Sequence, residues 1–235
     1  MKSLVLTVVV IGAVLLSVVF ASPLIFYHNL TSYSGSSQTY GPGTMPYNSG
    51  SMMTYYGQTV SVQSAMMEVT ANPPPYVTLM PLNDTAIINS SSNIHITAYA
   101  MMGSMAVNVT GHPLPAYSSG DVFVIYGLIN PTLVFASDTP SVKLTITVVN
   151  LDNDMYHNFV ITSTPPPYKY MAASSTMVSF SGNLMYMMPY LPPTSNGEAF
   201  VYTYSVQLQG HGQLWYLCTY PGHAESGMYG EIIAG

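Results

Sequence analysis

The chain has no arginine, three lysines and one cysteine in 235 residues. Only 5% of its residues are charged, against roughly a quarter in ordinary domains. Each scarcity excludes something. Without a basic patch nothing neutralises phosphates, which excludes nucleic acid as a partner. One cysteine excludes an internal disulfide framework and a Cys-only zinc site. Low charge does not make this a multi-span membrane protein, because a single stretch is long and apolar enough to cross. An apolar content of 49% argues against disorder over most of the chain.

The shortage of charge also bears on habitat. In acid an ordinary protein loses its carboxylate salt bridges and repels itself through its remaining cations. Here nine acids and three lysines leave little to lose. Polarity comes instead from Ser, Thr, Asn, Gln and Tyr, whose hydrogen bonds are nearly insensitive to acid. The expectation is an exterior-facing protein of an acidic habitat. The blander alternative is a glycosylated surface protein, since Asn29, Asn83, Asn89 and Asn108 head N-x-S/T sequons.

Three regions follow one another. Residues 1–27 carry the apolar run from Leu4 to Phe26 behind Lys2. Its length suits an uncleaved N-terminal membrane anchor, and Val19-Phe20-Ala21 leaves a removed signal as the alternative. Both export the remainder. Residues 28–75 are rich in Ser, Tyr, Gly, Met and Pro and end at Pro73-Pro74-Pro75. This is linker composition, with a coil reach on the order of 40 Å. Within it, Thr59–Thr70 is compatible with a docked strand or short helix. From residue 76 to 235 the period becomes two. Val142, Leu144, Ile146 and Val148 alternate with polar residues, as do Ile94, Ile96 and Ala98, and Tyr202, Tyr204, Val206 and Leu208. Pro and Gly breakers separate these runs. The pattern predicts an all-β sandwich or barrel of short strands.

The chemistry gathers near the C-terminus, in Cys218-Thr-Tyr-Pro-Gly-His223-Ala-Glu-Ser-Gly-Met228. One loop offers a thiolate, an imidazole and a thioether, spaced C-x4-H-x4-M. A trigonal His2Cys site with a weak axial Met selects copper for electron transfer, and it needs one more histidine. His157 is the candidate. By strand alternation it shares a face with Phe159 and Ile161 and looks into one end of the core. Asn158 then faces away, placed to tie its strand to the Cys218 loop. Alone, Cys218 would read as a buried structural cysteine, and His223, Met228 and His157 as ordinary loop or core residues. The spacing is what reverses that reading. His95 falls on a polar strand face, while His28, His112 and His211 read as boundary and turn residues. Trp215 reads as core, and the methionine pairs at 52–53, 66–67, 101–102 and 187–188 as apolar filler.

On these motifs the chain resembles the cupredoxins, the blue-copper family. Within them it is most similar to the sulfocyanins, membrane-anchored proteins of acidophilic archaea, with a copper loop of the rusticyanin kind. The resemblance covers roughly residues 90–235. It implies a Greek-key β-sandwich and one type 1 copper ion cycling between Cu(II) and Cu(I). His157, Cys218 and His223 would be its equatorial ligands and Met228 its axial one. The long stretch 165–193 has no counterpart that can be aligned.

The implied function is a one-electron carrier and not an enzyme, in an extracytoplasmic respiratory chain. Donors would be a quinol-oxidising complex or an iron-oxidation system, and the acceptor a haem–copper terminal oxidase. The domain itself would be monomeric. Burial, weak axial sulfur and little local charge predict a high reduction potential. His223 is the expected electron port, with Tyr220, Pro221, Met228 and Tyr229 as an apolar docking patch. Apolar surroundings should also oppose protonation of His157 and His223. The alternative is an exported copper store or delivery protein, suggested by the methionine pairs. Copper oxidases need more clustered histidines, and no His-x-His pair occurs.

Overall fold

A computed structural model describes residues 58–234 apart from 91–92, 137–140, 173–178, 181–182, 185–187 and 210–211. The expected anchor, most of the expected linker, His28, His211 and Met52-Met53 lie outside the described residues. Among those described, no helix is long and apolar enough to cross a membrane.

The chain begins with strand β1 (Thr59–Ser61) and helix α1 (Val62–Glu68), then β2 (Val77–Met80) and β3 (Thr85–Ile88). β4 (Ile94–Met102) runs directly into helix α2 (Gly103–Thr110). β5 (Asp121–Ile125), β6 (Leu128–Ile129), β7 (Thr132–Phe135) and β8 (Ser141–Asn150) follow. After β9 (Val160–Thr162) comes a small hairpin, β10 (Ser179–Phe180) and β11 (Asn183–Leu184). β12 (Glu198–Gln209), β13 (Gly212–Leu217) and β14 (Tyr229–Ala234) complete the order.

The described strands build two six-stranded sheets, β1-β12-β8-β4-β5-β6 and β2-β3-β7-β14-β13-β9. Most pairs are antiparallel. β4–β8, β3–β7 and β7–β14 are parallel, so the chain crosses between the sheets rather than meandering within one. Period-two alternation points one row of each strand inward. Leu144, Ile146 and Val148 of β8 and Ile94, Ile96 and Ala98 of β4 meet Ile88, Leu133, Ile161 and Ile232 of the opposite sheet in one core. Burying each such aliphatic side chain stabilises the fold by about 1.5–3 kcal/mol relative to exposure. Phe123, Phe159 and Tyr216 lie together in this core, with centroids 4.9–5.9 Å apart.

The first sheet is also covered on its outer face. Tyr99, Met101, Val122, Val124, Val149 and Val201 pack there against Ala65 and Val69 of the α1 region and Ala106 of α2. This explains why β5 is buried along almost its whole length instead of alternating. The Ser61 side chain caps α1 by accepting from the Ser64 N–H, and α2 ends at Gly111, whose left-handed conformation (φ 73°) returns its N–H to Val107. β1 and α1 fall inside the expected linker, so the ordered fold starts well before residue 76. A short amphipathic stretch takes its structure from the sheet edge it pairs with. Trp215 is only half-buried, and its neighbour Tyr216 takes the core position, with its hydroxyl donating to the Pro131 carbonyl at 2.7 Å.

Candidate metal centre

β13 ends at Leu217, placing Cys218 at the end of a core strand, and Met228 precedes the return strand β14. The intervening loop is wound tightly on itself. The Met228 N–H donates to the His223 carbonyl (2.9 Å), and the Met228 carbonyl accepts from the Cys218 N–H (3.1 Å). Ser226 and Gly227 donate to Gly222 and Ala224. Gly222 and Gly227 supply the positive φ angles (84° and 96°) these turns need. A Cβ on Gly227 would also come within 2.5 Å of the Ser118 backbone. Asn130 pins the loop from below, donating to the Gly227 carbonyl while accepting from the Phe123 N–H.

His157 arrives from the segment before β9. Its backbone exchanges two hydrogen bonds with Leu191, so part of the 165–193 stretch that could not be aligned forms a wall of the site. His157, Phe159 and Ile161 are all fully buried, but Asn158 and Val160 between them are buried as well, so burial does not alternate here. Asn158 makes the anticipated tie. Its Nδ2 donates to Thr219 Oγ1 (2.8 Å) and to the Met188 carbonyl (3.0 Å), and its Oδ1 accepts from the Thr219 N–H (2.8 Å). The residues following two candidate ligands are thus locked together.

Three donor atoms converge. Cys218 Sγ lies 3.8 Å from His157 Nδ1 and 3.6 Å from His223 Nδ1, and the two nitrogens are 3.2 Å apart. The point equidistant from all three is about 2.1 Å from each, close to the ~2.0–2.3 Å of nitrogen and thiolate bonds to a divalent transition metal. Cys218 and Met228 are fully buried, and His223 is 8% exposed. The donor triangle therefore fits a metal ion, and one thiolate with two imidazoles suits copper.

The electrostatics differ from the expectation of little local charge. Asp152 is fully buried, with Oδ2 3.3 Å from His157 Nε2. Asp121, 17% exposed, sets Oδ2 3.6 Å from His223 Nε2. Burial pushes the Asp152 carboxyl up, but hydrogen bonds from His157 and Asp154 outweigh it and hold the group below the usual carboxylate range. Burial lowers His157, yet Asp152 and Cys218 overcome it and raise the imidazole to about 9. The apolar surroundings do not by themselves keep this histidine neutral. Burial likewise raises the Cys218 thiol, and the two histidines bring it down to about 6. The metal-free donor set thus favours a thiolate, the form that binds metal.

One surface expectation is also corrected. Met228 is fully buried and cannot belong to a docking patch. His223 shows only an edge, because Tyr220 packs 4.7 Å from its ring and stacks on Tyr156. Tyr220, Pro221 and Tyr229 are half-buried at the rim. Sequence reasoning missed Asp121, Asp152, Asn130 and Thr219. Asp152, five positions before His157 in a chain with nine acids, carried a weak signal; Asp121 carried none.

No family model matches the chain. Rusticyanin of Acidithiobacillus ferridurans is 28% identical over 144 residues, 61% of this chain and 64% of that protein. The chain thus spans 64% of the length of that curated relative. A rusticyanin of Acidithiobacillus ferrooxidans is also 28% identical, over 61% of this chain and 77% of that one. Among solved structures, rusticyanin from Thiobacillus ferrooxidans superposes with a TM-score of 0.52 at 22% identity, covering 76% of this chain and 96% of that one. Reduced rusticyanin gives 0.52 at 20% identity, covering 76% and 99%. The chain therefore shares the two-sheet β fold of the rusticyanin structures, and its buried donors His157, Cys218 and His223 suit one copper ion.

Proposed function

We propose that this chain is a type 1 copper electron carrier, exported, anchored by residues 4–26 and active in the respiratory chain of an acidophile. The observation that carries the reading is the buried triangle of Cys218, His157 and His223. A copper ion held there supplies one-electron chemistry between Cu(II) and Cu(I). The protein's part is to hold the donors still. The Asn158–Thr219 bridge and the Cys218–Met228–His223 backbone bonds fix three of the four side chains relative to one another. A site that rearranges little between oxidation states exchanges electrons quickly. Met228, tied through its backbone to both Cys218 and His223, is the fourth ligand in this reading, through its thioether. Electrons would pass at the edge of His223 and the Tyr220 ring, toward a haem–copper oxidase and from a quinol-oxidising or iron-oxidising donor.

The apolar run Leu4–Phe26 and the Ser/Tyr/Gly/Pro-rich stretch after it are the sequence features that support placement at the membrane. A copper store is less well supported, because buried donors oppose ready release. The decisive experiment adds Cu(II) to the full chain in detergent and records its visible spectrum. An intense thiolate-to-copper band, lost in Cys218→Ser, is expected. A colourless wild-type protein would end the proposal.

A further inference from the structure

His157 and His223 turn Nδ1 toward the donor triangle, which leaves both Nε2 atoms facing outward. Each outer nitrogen meets a carboxylate, Asp152 at 3.3 Å and Asp121 at 3.6 Å. These acids come from distant parts of the chain. Asp121 opens β5, and Asp152 sits in the turn after β8. One oxygen from each and one ring nitrogen of His157 lie within 4.8 Å of one another. Asp152 is built in rigidly. Its Oδ1 accepts from the Asp154 N–H (3.1 Å), its own N–H donates to Asn150 Oδ1 (2.9 Å), and its carbonyl accepts from the Thr194 N–H (2.7 Å). Asn150 in turn donates to the carbonyls of Met155, Leu191 and Pro192. A fully buried carboxylate is costly unless paired. In a chain with nine acids, two of them set behind both histidines call for a reason.

We propose that Asp152 and Asp121 form a carboxylate bracket behind the donors: Asp152 is a positioning residue that hydrogen-bonds His157 Nε2 and leaves its Nδ1 free for metal, while Asp121, 3.6 Å from His223 Nε2, contributes charge beside the second imidazole. The tautomer of a ligand histidine is set by the bond its other nitrogen makes. The bracket also places negative charge beside the centre, which favours its oxidised state over its reduced one. This counteracts the high potential that burial and a weak axial ligand would otherwise give. The inference rests on the copper reading above.

The test uses the full chain loaded with Cu(II), with Asp152→Asn, Asp152→Ala and Asp121→Asn beside wild type. Asparagine keeps the size and one acceptor oxygen but not the charge. Asp152→Asn is therefore expected to keep the thiolate-to-copper band and raise the reduction potential. Asp152→Ala should lose copper to a competing chelator with about 10–100-fold weaker affinity. Asp121→Asn should raise the potential by a smaller shift. A merely structural Asp152 would lower the unfolding midpoint while leaving the potential of Asp152→Asn at the wild-type value, and that outcome overturns the proposal. Should the Asp152 variants fail to fold, Asp121→Asn decides: an unchanged potential and chelator competition refute the bracket. A wild-type chain that takes up no copper would instead mark the failure of the copper reading, visible before any variant is compared.

Discussion

Asn158 has both ends of its amide engaged, with Thr219 on one side of the site and the Met188 carbonyl on the other. Truncation would leave the buried Thr219 N–H without its acceptor, at a cost of roughly 1–3 kcal/mol. Asn158→Ala is expected to lower the unfolding free energy read from urea titration by that amount, to keep its colour, and to slow electron self-exchange because the two ligand segments move independently. Wild-type self-exchange in a destabilised variant would show that the bridge serves folding alone. At this scale the sequence was partly legible. Cys218, His223 and Met228 announce themselves because one loop carries all three at fixed spacing. His157 and Asn158 follow from strand alternation. Asp121 does not, because its approach to His223 depends on how β5 lies against a loop a hundred residues away.

The hairpin formed by β13 and β14 carries the site, and its register puts Tyr216 opposite Gly230. The Tyr216 hydroxyl crosses so close to Gly230 that a Cβ there would fall 2.2 Å from its oxygen. Gly230→Ala must push the Tyr216 ring against Phe123 and Phe159, an overpacking that costs typically about 1–3 kcal/mol. The expected result is a lower thermal midpoint with a broadened copper spectrum, since Leu217 ends the same strand and Cys218 follows it directly. An unchanged midpoint would mean the hairpin relaxes freely. Period-two patterning revealed the long strands here, because a half-buried sheet sorts its residues by face. For Thr59–Thr70 it left a docked strand or a short helix open, and the structure has one of each in turn, too short to show a period of their own. It did not separate Trp215 from Tyr216, adjacent aromatics either of which suits a core.

Across the whole molecule, scarce charge is not evenly scarce: Asp121, Asp152 and Asp154 gather at the metal end. Elsewhere the sheet surface is knitted by hydroxyls, such as Thr147 with Thr203 and Thr145 with Ser205. One titrating group sits among them. His95 bonds Thr147 through Nε2 at 2.8 Å, and burial lowers its pKa from the ordinary 6.5. The unfolded chain therefore takes a proton at a pH where the folded chain resists it. Stability is unaffected above 6.5 and falls as pH drops below it, by at most ~1.4 kcal/mol per pH unit, until the folded imidazole also protonates. Urea midpoints at pH 7 and about pH 4 should show wild type still folded in acid and His95→Asn losing less stability on the way down; equal losses would exonerate His95. The edge strand β1 has a mechanical consequence as well. Among the described residues, Thr59–Ser61 pair with Glu198–Phe200, backed by the Val201 N–H on the Gln58 carbonyl and the Val62 N–H on the Gly197 carbonyl. A tug arriving through the N-terminal chain meets this short zip first. It can peel and re-form while β8 and β13, which lead directly to the metal end, carry no load. In the proposed anchored copper carrier, β1 and α1 would act as a fuse between the tether and the metal end.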